Sequence, residues 1–100
     1  MTLATADVHA EKWQYATLLH TGPFTWRTGD QTFSATTNRQ FPEFYKEVTA
    51  QPWPCPAPEF SPETLAKLLD GIGAAGWELV QVELANNNAR TYYFKRRAPA

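Results

Sequence analysis

Residues 61–84 read SPETLAKLLDGIGAAGWELVQVEL and hold a helix start, an apolar stripe, a helix stop and a strand in direct succession. Ser61 suits the N-cap, where its hydroxyl accepts an unpaired backbone N–H. Pro62 falls at the first helical position, where its missing N–H costs nothing, and Glu63 sits by the positive end of the helix dipole. Leu65, Leu68, Leu69 and Ile72 recur at i, i+3, i+4 and i+7, which gathers them into one stripe and leaves Glu63, Lys67 and Asp70 to water. Gly76 suits the left-handed position just past a helix end, so Trp77 is expected to fold back on Ile72 in a Schellman motif, while Gly73 is expected to let the helix approach the sheet closely. One long helix is thus predicted over 62–75. WELVQVEL then reads as a strand, Asn86-Asn87-Asn88 as a turn tolerant of positive φ, and RTYYFKRR as the returning strand.

Upstream, KWQYATLLH alternates over 12–20, with Trp13, Tyr15, Thr17 and Leu19 on one side and Gln14, Ala16, Leu18 and His20 on the other. Gly22-Pro23 breaks this strand. The stretch that follows predicts a hairpin near 24–36, with Gly29 opening a two-residue type II′ turn before Asp30. FPEFYKEV suits a short helix after Pro42, whereas QPWPCPAPEF carries four prolines and should be extended. Residues 1–11 are small and polar without a period and read as a tail. The expected fold class is α+β, a small mainly antiparallel sheet packed on one long helix, with an inserted β-hairpin and a proline-rich extended segment. It forms a single domain over 12–100 with its insertion at 21–60.

One hundred residues suit one core, and 43% hydrophobic with 19% charged residues exclude a wholly disordered chain. A formal charge of −1 argues against a dedicated nucleic-acid binder. The single cysteine excludes an internal disulfide framework. MTLATADVHA lacks a basic start and an apolar stretch, and no long apolar run occurs anywhere, so the expected location is cytoplasmic.

The opening Trp13-x-Tyr15, the run Gly73-x-x-Gly76-Trp77-Glu78-Leu79-Val80 and the closing Tyr92-x-Phe94-Lys95-Arg96 resemble a family of small bacterial domains of unknown function, the domain-of-unknown-function 4177 family. The resemblance covers about 12–20 and 64–97; the excursion at 21–60 departs from it. It implies a small bacterial α+β domain and lends no catalytic residue.

The chemistry-bearing residues are sparse. A Cys55–His20 pair is the sharpest nucleophile and base combination, yet Cys55 stands between two prolines, where a packed small hydrophobe is the ordinary role. Cys-Pro ligation of haem iron lacks a second ligand, and His9, Glu43, Glu47, Glu59 and Glu63 show no metal-ligand spacing. GIGAAG at 71–76 follows a helix and precedes a strand, the reverse of a phosphate-binding glycine loop. No enzyme activity, cofactor or metal is therefore expected.

Surfaces say more. Trp13, Tyr15 and Leu19 make one sheet face apolar and Ala16 and Leu18 the other, and a single helix covers only one of them. The second face is left to the excursion, rich in Phe24, Trp26, Phe33, Phe41, Phe44, Tyr45, Trp53 and Phe60, or to another chain. The expected role is a non-catalytic interaction or assembly subunit, meeting a protein partner or its own copy through Phe41, Phe44, Trp53 and Phe60. The alternatives are single-stranded nucleic-acid binding through Tyr92, Phe94, Lys95 and Arg96, where aromatic and basic residues share a strand, and small-ligand binding.

Overall fold

The computed structural model describes residues 12–54, 62–85 and 87–98. Strands β1 (Trp13–His20), β2 (Phe24–Arg27) and β3 (Thr32–Ala35) come first, then a 3-10 turn (Asn38–Gln40). Helices α1 (Phe41–Thr49) and α2 (Pro62–Ala74) follow, and strands β4 (Glu78–Leu84) and β5 (Arg90–Arg97) close the chain. The five strands form one sheet of order β3-β2-β1-β5-β4, antiparallel at every junction. The α+β class and the antiparallel sheet are as the residue pattern predicts.

Alternation divides the strands cleanly. Ala16 opposes Phe94 and Leu18 lies between Tyr92 and Trp26, so the small and branched residues of β1 meet aromatic residues from both neighbours on one face. Both helices cover that face. α1 brings Phe41, Phe44, Tyr45 and Val48 at i, i+3, i+4 and i+7, and α2 brings Leu68 and Ile72. Phe24, Phe41, Leu18, Leu68 and Ile72 are fully buried at its centre.

The expectation of one long helix needs correcting. Two helices share the roof, because the 41–49 segment is amphipathic in its own right and begins with proline in its first turn. The described part of the excursion therefore does not wrap the second face of the sheet; it lands on the same face as α2, and among the described residues nothing covers the other. The hairpin forms around Gly29-Asp30, but its turn is not type II′. Arg27 pairs with Thr32 and the Thr28 N–H bonds the Gln31 carbonyl at 2.9 Å, enclosing those two residues, and Gly29 does not take positive φ. Ser61, Cys55 and most of the proline-rich segment lie outside the described residues.

The helix stop forms as the glycine and tryptophan predict. Gly76 has φ +96°, its N–H bonds the Gly73 carbonyl at 3.0 Å, and the Trp77 N–H bonds the Ile72 carbonyl at 3.2 Å. Close approach, however, belongs to Gly71 and not Gly73. A Cβ at Gly71 would stand 2.5 Å from the Tyr45 hydroxyl oxygen and 2.8 Å from its Cζ, whereas one at Gly73 meets nothing within 4 Å. Gly71 is the notch in α2 that admits the Tyr45 ring of α1.

These two glycines predict opposite outcomes. Alanine adds about 1 kcal/mol of helix propensity at either position. At Gly71 the methyl must displace a buried ring, an overpacking cost of about 1–3 kcal/mol that outweighs the gain. Urea denaturation should show Gly71→Ala less stable than wild type and Gly73→Ala equal or more stable. The reverse order would remove the notch from its structural role.

Candidate functional site

Beneath the roof the sheet is sealed; on the other side it is bare. Cross-strand register places Trp13 beside Arg97, Tyr15 beside Lys95, and Thr17 between Arg27 and Tyr93 on this open face. Lys95 holds the face together locally. Its Nζ lies 4.5 Å from the centre of the Trp13 ring and 3.6 Å from Glu78 Oε2. The Tyr93 hydroxyl donates to Glu83 Oε1 at 3.2 Å, and that carboxylate, by accepting this hydrogen bond and repelling the phenolate, holds the phenol above its ordinary pKa.

Among the described residues, the exposed large hydrophobic side chains all fall on two strands. Trp13, Tyr15 and Leu19 lie on β1, and Leu79, Val80, Val82 and Leu84 on β4. Tyr15 is 66% and Leu84 64% accessible. β4 is an edge strand with every residue exposed, because the helices stop short of it. Leu79, Val82 and Leu84 pair with Phe94, Tyr92 and Arg90 and so point to the roof side, beyond the reach of the roof. The register slips between Leu79 and Gln81, making Val80 the extra residue of a bulge.

The residues expected to form an interface are placed otherwise. Phe41 and Phe44 are buried against Phe24, with ring centres 5.6 and 6.2 Å from it, so they are core and not a docking surface. Trp53 is half-buried, edge-on to both Phe41 and Tyr45 at 4.9 Å. Phe60 lies outside the described residues. These aromatic residues cover their own sheet because α1 presents them at helical spacing directly over β2.

The basic-aromatic strand divides by parity. Tyr92 and Phe94 are buried in the core, and Arg96 follows them to the roof side, leaving only Lys95 of the four expected nucleic-acid contacts on the open face. The guanidinium of Arg96 lies 4.2 Å over the Trp77 ring. Its Nε donates to Gln14 Oε1 at 2.9 Å and an Nη to the Ala75 carbonyl at 3.4 Å. A cation at the last carbonyls of α2 is a helix-end contact. Gln14, Asp30, Trp77 and Arg96 also line a cleft of 480 Å³ between the β2–β3 loop and the helix end, within the size range of small-ligand pockets.

His20 ends β1 on the roof side, half-buried and stacked on Phe24 with ring centres 4.4 Å apart. Burial pushes its pKa below the ordinary value and nearby Arg90 adds to the shift, while the Pro23 and Gly22 backbone carbonyls, as acceptors for the charged ring, oppose it. Its Nδ1 is buried without a hydrogen-bond partner. Cys55, its proposed nucleophilic partner, lies outside the described residues. Among the described residues no three His, Cys, Asp or Glu side chains gather as metal ligands, and no helix is long and apolar enough to cross a membrane.

The alternation of 12–20 pointed to Trp13, Tyr15 and Leu19 as a face, and strict alternation of 77–84 sets Val80, Val82 and Leu84 opposite Trp77 and Leu79. The bulge changes that parity and brings Leu79 to the same side as Val82 and Leu84. Comparison with protein-family models, curated proteins and solved structures finds no match to this chain.

His20 makes stability pH-dependent. The unfolded chain takes up its imidazole proton near pH 6.5, while the folded chain resists protonation to lower pH. The unfolded state thus binds more protons just below about pH 6.5, and stability falls as pH drops through that value toward the folded pKa. Urea midpoints at pH 5 and 7.5 should differ more for wild type than for His20→Gln. Equal differences would exclude His20 as the source.

Proposed function

We propose that this chain is a non-catalytic interaction domain, a subunit that docks another protein chain through the uncovered part of its sheet. The observation that carries this reading is the confinement of the exposed large hydrophobic residues to β1 and β4, the strands the roof leaves open on one side or on both. Solvent-facing apolar residues scattered singly need no explanation, but a tract of three on β1 and one of four on β4, on either side of β5, mark contact surfaces. Trp13 and Tyr15 supply large anchors with few rotatable bonds, ringed by Lys95, Glu78 and Arg97, the arrangement of an interface centre with a polar rim. Docking thus moves from the aromatic excursion to the sheet itself.

The non-catalytic part of the proposal is supported by the structural work that the conspicuous polar residues already do. Arg96 closes a helix end, His20 stacks in the core margin, and Glu78 and Glu83 engage Lys95 and Tyr93. The resemblance of GxxGWELV to small bacterial domains of unknown function adds no chemistry, since Gly76 and Trp77 act as a helix stop.

A second reading rests on Trp13, Tyr15 and Tyr93 sharing the open face with Arg27, Lys95 and Arg97, a set suited to stacking bases and meeting phosphates. Glu78 and Glu83 on that face oppose it.

Affinity capture from the source cells, followed by titration of the purified partner, tests the docking reading. Trp13→Ala with Tyr15→Ala should leave the thermal midpoint nearly unchanged and weaken partner binding at least about tenfold, the loss expected of interface anchors. A partner bound equally by wild type and this variant overturns the role of the open face. Salt-sensitive, sub-micromolar binding of single-stranded DNA or RNA in fluorescence anisotropy would favour the second reading instead.

A further inference from the structure

Among the described residues, β4 is bare in three directions: on both faces and along the edge opposite β5. A free edge presents a row of unpaired backbone N–H and C=O groups whose natural partner is another strand. Folded chains usually blunt such an edge with lysine, proline or a short strand. β4 has seven residues, no lysine and no proline, and its guards are the bulge at Val80 near its start and the acids Glu78 and Glu83. Gln81–Leu84 is left as a regular run with Val82 and Leu84 toward the roof side and Gln81 and Glu83 toward the open side.

An occupant must therefore bring a strand, aliphatic side chains on the roof side, and a polar side chain other than an acid opposite Glu83. A second copy of β4 meets all three demands in one antiparallel register. With Val82 opposite its own equivalent, Gln81 faces the other copy's Glu83 and Leu84 faces the other copy's Val80. Shifting the pairing so that Glu83 meets Glu83 sets like charges directly across the ladder. Shifting it the other way sets Glu83 against Leu79, which the bulge has turned to the roof side, and so mixes the two faces. In the favoured register no acid faces another directly: Glu83 stands opposite Gln81 of the other copy, and Glu78 is paired with Lys95 within its own.

We propose that β4 pairs antiparallel with β4 of a second copy, with Val82 on the two-fold axis. This rests on the docking reading and names the partner of the β4 tract. The product is a continuous ten-stranded sheet with both helical roofs on one side. Leu79, Val82 and Leu84 of each copy line the trough between them. The open face, with Trp13 and Tyr15, is left free for a different partner.

Light scattering coupled to size exclusion on the full chain, run up to about 100 µM to reveal the weak association expected of an edge interface, should show a dimer. Val82→Lys should give a monomer with unchanged circular dichroism, since Val82 is 47% exposed in the single copy and its replacement disturbs no core. In a Cys55→Ser background, Val82→Cys should cross-link under mild oxidation, because directly opposed residues have Cα atoms about 4.5–5.5 Å apart, within disulfide reach. Gln81→Cys should not, as the two thiols would be carried by Cα atoms about 8 Å apart. A wild-type chain that stays monomeric, a dimer that survives Val82→Lys, or cross-linking at Gln81→Cys in place of Val82→Cys each overturns the proposal. A dimer abolished only by Trp13→Ala with Tyr15→Ala does so too. Partner capture through the open face would survive a monomeric result, so failure here and failure of the docking reading are separable.

Discussion

The chain leaves the sheet at β3, on one edge, and re-enters at β4, on the other. Everything between must cross four inter-strand gaps, roughly 19 Å at the usual strand spacing, while keeping one face dry. A single helix on such a path would leave part of that face wet. The chain answers with two helices, α1 over β2 and β3 and then α2, and the quality of the seal depends on how closely the two meet. Gly71 allows that meeting by making room for the Tyr45 ring, so a missing side chain in one helix is matched by a large one in the other. With β1 contributing Ala16 and Leu18 beneath a layer of aromatic residues, the roof face becomes a core of interdigitated rings and short side chains.

At the far end of the crossing, the chain must turn from helix to strand, and there one small assembly ties several strands together. Gly76 reverses the backbone, which delivers Trp77 edge-on to Trp26 with ring centres 5.4 Å apart. Arg96 lies over the same indole and reaches both Gln14 and the last turn of α2. The contact joins β1, β2, β5 and the helix end. It also explains why a guanidinium on an otherwise basic, aromatic strand is withheld from the surface: its donors satisfy carbonyl and amide oxygens that would otherwise be left at the helix end.

The roof that seals β1, β2 and β5 does not extend to β4, and this shortfall produces the surface on which the functional reading stands. Aliphatic residues that in a wider roof would be core are exposed along β4, and among the described residues no layer covers the face opposite the roof. Adding a strand to β4 continues a ladder, whereas adding a body to the open face covers Trp13 and Tyr15. The two surfaces thus call for different occupants, and the fold leaves both accessible at once.

Local chemistry was enough to read α2 with its start and stop, the alternation of β1, and the final hairpin with Asn88 at positive φ. Each depends on residues a few positions apart: an i, i+4 stripe, a glycine at a left-handed position, a period of two. The sidedness of β5 was legible in the same way, since Tyr93, Lys95 and Arg97 must oppose Tyr92, Phe94 and Arg96 whatever the fold. What local pattern left open was which face of each strand would find a cover, because that depends on where a crossing chain lands and how far it reaches. Phe41, Phe44 and Trp53 resembled an interface in sequence and became core, since α1 settled beside α2 and not on the opposite face. β4 is apolar on both faces in sequence and became an exposed edge, since strand order put it outside β5, past the reach of the roof. Periodicity determined which residues share a side; only the tertiary structure decided which side is dry, because burial is a property of what packs above a residue and not of the residue itself.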